Sequence, residues 1–244
     1  MRSIVATVVF VLVTIVLSIL SIPAALLDRS GRSYLWLART WSKCFLWLYG
    51  IHVRVEGLEK IDPDDHYVFV SNHASYTDIP VVLASIPAQI RIILRHELTR
   101  VPIWGWALLT SPFLIVDRSN AAKARETLAR AAETIKAGAS VLLFPEGTRT
   151  HDGNLQEFKR GAFKLAFDSQ TTILPIALDG TFEALPRTEK LPRSGSKVVV
   201  RVGEPIPFVI DPTVPTRTQE IALMKASEEQ VRQMLSHRDR HQDP

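Results

Sequence analysis

The chain has 244 residues, 46% of them hydrophobic, one cysteine and a net charge of +4. That length allows one large or two small domains, and a single cysteine excludes intramolecular disulfides and zinc sites built on several cysteines. The basic balance fits an anionic lipid surface or a phosphate-bearing substrate; the basic residues are spread out and form no nucleic-acid recognition motif, so nucleic acid is not an expected partner.

From Ser3 to Leu27 no side chain is charged, and Val, Ile, Leu and Ala dominate. About 20 apolar residues cross a bilayer core, so this stretch is long enough to span or to dip into one leaflet. Its apolar core is longer than that of a signal peptide, and no clear small-x-small cleavage site follows. The next stretch, Tyr34 to Tyr49, carries three of the five tryptophans, with Arg39 and Lys43 one helical turn apart. Aromatic residues with a basic stripe suit a membrane interface; the alternative is a core helix. Cys44 lies here and is expected to pack. Residues 1–50 are therefore expected to form a membrane anchor and 51–244 a separate domain. Arg2 precedes the apolar stretch, while Arg29, Arg32, Arg39 and Lys43 follow it against one acid, Asp28. The positive-inside rule then puts the remaining chain on the cytoplasmic side.

Short apolar runs next alternate with helical patterns. Strands are predicted at His52–Val55, Tyr67–Ser71, Ile90–Leu94, Phe113–Val116, Ser140–Phe144, Thr172–Leu178 and Lys197–Val202. Helices are predicted at Asp78–Ser85, Pro102–Leu109, Ala121–Lys136, Arg160–Phe167 and Thr218–Leu235. The alternation predicts an α/β domain with a mixed, largely parallel central sheet flanked by helices. Runs such as Val141-Leu142-Leu143-Phe144 lack polar alternation, as in a central strand covered on both faces.

Three of the strands end in chemically useful residues. Tyr67–Ser71 leads to His73 and Asp78, Phe113–Val116 to Asp117 and Arg118, and Ser140–Phe144 to Pro145-Glu146-Gly147-Thr148-Arg149. Residues five apart on one helix point roughly 140° away from each other. His73 and Asp78 therefore meet only if a turn separates them, at the tip of a strand and the start of a helix. A histidine oriented by a carboxylate is a general base. In open α/β sheets ligands bind beyond the carboxyl ends of strands, so one cleft can gather this base with two arginines and a glutamate. Arginine grips phosphate through paired hydrogen bonds. No Gly-x-Ser-x-Gly elbow is present. The run His96-Glu97-Leu98-Thr99-Arg100 has Arg100 where a zinc motif needs a second histidine.

Asn72-His73-x4-Asp78 and Phe144-Pro145-Glu146-Gly147-Thr148-Arg149, about seventy residues apart, resemble the signature blocks of the glycerolipid acyltransferases, the 1-acylglycerol-3-phosphate acyltransferase group. Arg95-His96-Glu97-Leu98 with Pro102 and Gly105, Leu114 to Arg118, and Leu174-Pro175-Ile176 resemble the supporting blocks. One departure is Pro112, which stands where the second block usually opens with glycine. The resemblance implies that 51–244 is an acyltransferase catalytic domain. It implies acyl transfer from a thioester to a lysophospholipid hydroxyl, with His73 as base and Asp78 as its partner. Arg118, Glu146, Gly147, Thr148 and Arg149 are the implied acceptor-binding residues, and Pro175 the wall near the acyl chain, with Lys159 and Arg160 as further phosphate candidates. Backbone amides near the catalytic turn are the expected oxyanion donors. The implied donor is acyl-CoA or acyl carrier protein, with no metal or other cofactor. Lysophosphatidic acid is the expected acceptor. Glycerol 3-phosphate, another lysophospholipid or a lyso-aminolipid are alternatives, and a lipid-binding membrane protein without catalysis is the non-enzymatic one.

Overall fold

A computed structural model describes residues 2–117 and 121–236. All seven expected strands form: β1 His52–Glu56, β2 Val68–Ser71, β3 Ile90–Arg95, β4 Leu114–Val116, β5 Ser140–Leu143, β6 Ile173–Asp179 and β7 Lys197–Val202. They make one sheet in the order β1-β7-β6-β2-β5-β3-β4. Every neighbouring pair is parallel except β6 and β7. The carboxyl ends of β2 to β6 therefore share one edge, the edge where the sequence placed its polar residues.

The helices are α1 Arg2–Leu27, α2 Arg32–Tyr49, α3 Asp78–Ser85, α4 Trp104–Thr110, α5 Ala121–Lys136, α6 Gly161–Ser169, α7 Thr181–Ala184 and α8 Thr216–Ser236. The short α7 and the 3₁₀ turns Leu58–Lys60 and His96–Arg100 were not expected; pieces this short carry no hydrophobic period. Side chains alternate across the sheet. Phe69, Leu142, Leu174 and Ile176 pack beneath α2 and α3. Val68, Val70, Leu143 and Ala177 pack against α5, α6 and α8.

The expected boundary at residue 50 does not divide the core. Tyr34, Leu35, Phe45, Leu46 and Tyr49 of α2 are buried in one cluster with Phe69, Leu142 and Ile176 of the sheet. Each such side chain contributes about 2 kcal/mol on burial. Arg39 is also turned inward rather than forming a basic stripe: its Nη2 donates to the Ile86 and Ala88 carbonyls at 2.9 and 2.7 Å, at the end of α3. Lys43 is exposed, as are Trp36 (65%) and Trp47 (80%). Cys44 is half-buried.

The segment Ile4–Leu27 is long and apolar enough to cross a membrane. One face of α1 packs along α2. Phe10 contacts Trp41, Phe45 and Tyr49, and Thr14 Oγ1 accepts a hydrogen bond from Trp41 Nε1 at 2.9 Å. The other face leaves Val8, Leu12, Val16 and Ile19 exposed. The connection is tight: Asp28 Oδ2 accepts from the Ser33 amide, and buried Arg91 donates from Nη2 to the Ser30 carbonyl at 2.7 Å. Gly31 has φ 72°, and a Cβ there would come within 2.9 Å of Pro112 Cβ. Pro112, the departure from the block pattern, thus packs on the helical hairpin's turn.

Candidate active site

Beyond β2 the chain makes a turn rather than extending the helix. Asn72 starts it by imitating a strand: its Nδ2 donates to the Leu178 carbonyl at 2.9 Å and its Oδ1 accepts from the Leu178 amide at 2.8 Å. Asp78 opens α3 with its side chain folded back. Its Oδ2 accepts from His73 Nδ1 at 2.7 Å, from the Ala74 amide at 2.8 Å and from the Ser75 amide at 2.9 Å. Nδ1 donates, so the ring proton sits there and the Nε2 lone pair is left for a substrate. Asp78 is fully buried, and its Oδ1 has no partner among the described residues. Ser75 Oγ donates to the Leu185 carbonyl at 2.8 Å, which commits it to structure.

The loop after β5 grips His73 from the other side. Phe144 stacks on the imidazole with centroids 4.1 Å apart and planes at 18°. Glu146 Oε1 accepts from the His73 amide at 2.7 Å, and the Thr150 amide donates to the His73 carbonyl at 2.9 Å. Glu146 Oε2 takes the Gln156 amide and side chain at 3.3 and 3.0 Å. Burial pushes the Glu146 carboxyl up to about 7, against those hydrogen bonds. Glu146 therefore faces inward and positions the histidine, where an acceptor-binding side chain was expected. Gly147 has φ 78°, a left-handed conformation that favours glycine.

His73 opens onto a cavity of about 650 Å³. Apolar side chains from α1, α2, α3 and α4 form most of it, among them Phe10, Trp41, Leu83 and Trp104. Gly147, Thr148, Arg149, Arg95 and Arg187 border it too. The Arg149 guanidinium lies over the Tyr76 ring, Cζ 3.4 Å from the centroid, and its Nη1 is buried without a partner among the described residues. A cation held on an aromatic face with an uncommitted N–H is prepared for an anion.

Other expected residues sit elsewhere. Pro175 lies on β6 opposite Val70, between Leu174 and Ile176, and so points to the α6 and α8 face, away from this cavity. A strand's two-residue period sends neighbours to opposite faces, and the cavity occupies the face of Leu174 and Ile176. Arg160 pairs with Glu220 at 2.7 Å, while Lys159 Nζ lies beside Gly147. Arg118 lies outside the described residues. Backbone amides near the catalytic turn were the expected oxyanion donors; two amides of that turn, those of Ala74 and Ser75, are taken by Asp78. Arg187 and the cavity-lining residues of α1 were missed: Arg187 follows a helix too short to detect, and an uncharged run reads as lipid-facing all round.

The acyltransferase family model matches residues 52–179. The chain is 34% identical over 195 residues to the chloroplastic 1-acyl-sn-glycerol-3-phosphate acyltransferase of Arabidopsis thaliana, covering 79% of this chain and 54% of that one. It is 32% identical over 192 residues to the human 1-acyl-sn-glycerol-3-phosphate acyltransferase alpha, covering 78% and 68%. The chain thus spans about half the length of the chloroplastic relatives it matches. The crystal structure of the 1-acyl-sn-glycerophosphate (LPA) acyltransferase PlsC from Thermotoga maritima superposes with a TM-score of 0.71 at 27% identity, over 98% of this chain and 99% of that one. His73, Asp78 and the loop that grips them all fall within the matched stretch, and the chain belongs to the acyltransferase family.

Proposed function

We propose that this chain moves an acyl group from a thioester to the free hydroxyl of lysophosphatidic acid, giving phosphatidic acid. The names of its relatives support the acceptor. The observation that carries the chemistry is the 2.7 Å contact of His73 Nδ1 with Asp78, at the mouth of a largely apolar cavity bordered by Arg149. His73 Nε2 takes the acceptor's hydroxyl proton as the oxygen attacks the thioester carbonyl. The tetrahedral intermediate collapses, the C–S bond breaks, and the leaving thiolate takes the proton from the imidazolium. Asp78 holds the tautomer and stabilises the imidazolium throughout. Arg149 binds the phosphate, and the apolar cavity receives an acyl chain. The donor is acyl-CoA or acylated carrier protein.

The membrane reading follows from α1. It lies flush along α2, which is itself part of the core, so a full crossing would drag the sheet's helical cover into lipid. An α1 lying in one leaflet leaves the domain outside and its cavity open to lipid acceptors. The arginines around the hairpin turn favour the cytoplasmic leaflet. Pulling a long acyl chain into water costs about 0.8 kcal/mol per methylene, so a site at the bilayer surface avoids that cost.

Purified protein in lipid vesicles, given labelled acyl-CoA or acylated carrier protein and a panel of lyso-acceptors, tests the assignment by product mass. Phosphatidic acid formation is expected; acylation of a different acceptor alone would replace the substrate, and acylation of none would remove the activity.

A further inference from the structure

Arg187 borders the same cavity as His73 and Arg149. Its Nη1 donates to the Arg149 carbonyl at 3.2 Å and to His151 Nε2 at 2.8 Å. A guanidinium has no acceptor atom, so the imidazole accepts and carries its own proton on Nδ1. These two neutral contacts orient Arg187 without cancelling its charge. It makes no ion pair among the described residues: Glu189 is taken by Arg193, and Asp152 by Thr150 and Asn154.

Two guanidinium groups without carboxylate partners among the described residues thus stand at one mouth, Arg149 held on Tyr76 and Arg187 held on the Arg149 backbone and His151. Like charges gathered this way repel unless an anion joins them. Resting on the acyltransferase reading above, we infer that Arg187 is a second phosphate-binding residue, forming with Arg149 a clamp selective for the acceptor's phosphomonoester. A phosphomonoester is close to a dianion at neutral pH and offers three terminal oxygens, enough for both planar forks.

Arg187→Gln and Arg187→Lys test it in vesicles, with donor and acceptor each varied. Losing a charge-assisted contact raises the KM for lysophosphatidic acid about tenfold or more in Arg187→Gln, with the donor KM moving less than about twofold and Arg187→Lys in between. Melting curves check that both variants fold, which the exposed position favours. An acceptor KM unchanged in both variants, or equal rises in both KM values, overturns the inference while leaving the acyltransferase reading intact. A wild-type protein that forms no phosphatidic acid removes both together.

Discussion

His73 is fixed through its ring, its amide and its carbonyl, and each contact makes a separate prediction. Asp78→Asn removes an oxygen that accepts three N–H groups and replaces it with a group that also donates. The imidazole loses its tautomer, and kcat falls at least about a thousandfold with the fold retained, measured by product formation and circular dichroism. Glu146 gives a pH signature. Its carboxyl rises from an ordinary 4.5 to about 7 in the folded protein, so folding favours its protonated form. The stability it contributes is present below about 4.5 and is lost as pH rises through about 7. Relative to Glu146→Gln, the wild type loses up to about 3 kcal/mol across that window, read as a narrowing difference in melting temperature. A difference that stays flat or widens with pH contradicts the burial argument. The histidine and aspartate were legible in the sequence because their spacing demanded a turn. The inward role of Glu146 was not, because a Pro-Glu-Gly turn says nothing about which way its carboxylate folds.

Strands and long helices follow from runs and periods, so β1 to β7 and α3, α5 and α8 fell close to their expected positions. The connection between β3 and β4 held its expected helix as α4, but not the 3₁₀ turn His96–Arg100 before it or the tight backbone that joins them. There Ile103 has φ 66°, a conformation rare for a β-branched residue, and a Cβ on Gly105 would lie 2.2 Å from the Thr99 carbonyl oxygen. This close approach seats α4 so that Trp104 stacks on Trp41 with centroids 6.4 Å apart. Gly105→Ala forces the segment away, and a loss of more than about 2 kcal/mol is expected, measured by thermal melting. Unchanged stability would mean that α4 is free to shift. Pro112 and Gly31 teach a similar lesson: a departure from a sequence pattern near β4 finds its reason eighty-one residues earlier, at the hairpin turn. Contacts across such separations leave no local mark in a sequence.

At the scale of the molecule, the sheet holds the base, α2 and α3 cover it, and α1 closes the cavity while presenting Val8, Leu12 and Ile19 outward. The same helix therefore lines the cavity with one face and leaves an apolar face exposed on the other, the face that meets lipid in the reading proposed above, and α2 beneath it belongs to the core across residue 50. Trp36, exposed beside the hairpin turn, is expected to be quenched by brominated acyl chains in vesicles; no quenching would contradict the membrane reading of this face.

The proposed acyl transfer depends most on His73 acting as its base. The direct measurement is the turnover of His73→Ala with lysophosphatidic acid and acyl thioester in vesicles, beside the wild type at matched folded concentration. Loss of phosphatidic acid formation by at least about a thousandfold is expected, and turnover within tenfold of the wild type would contradict the assignment.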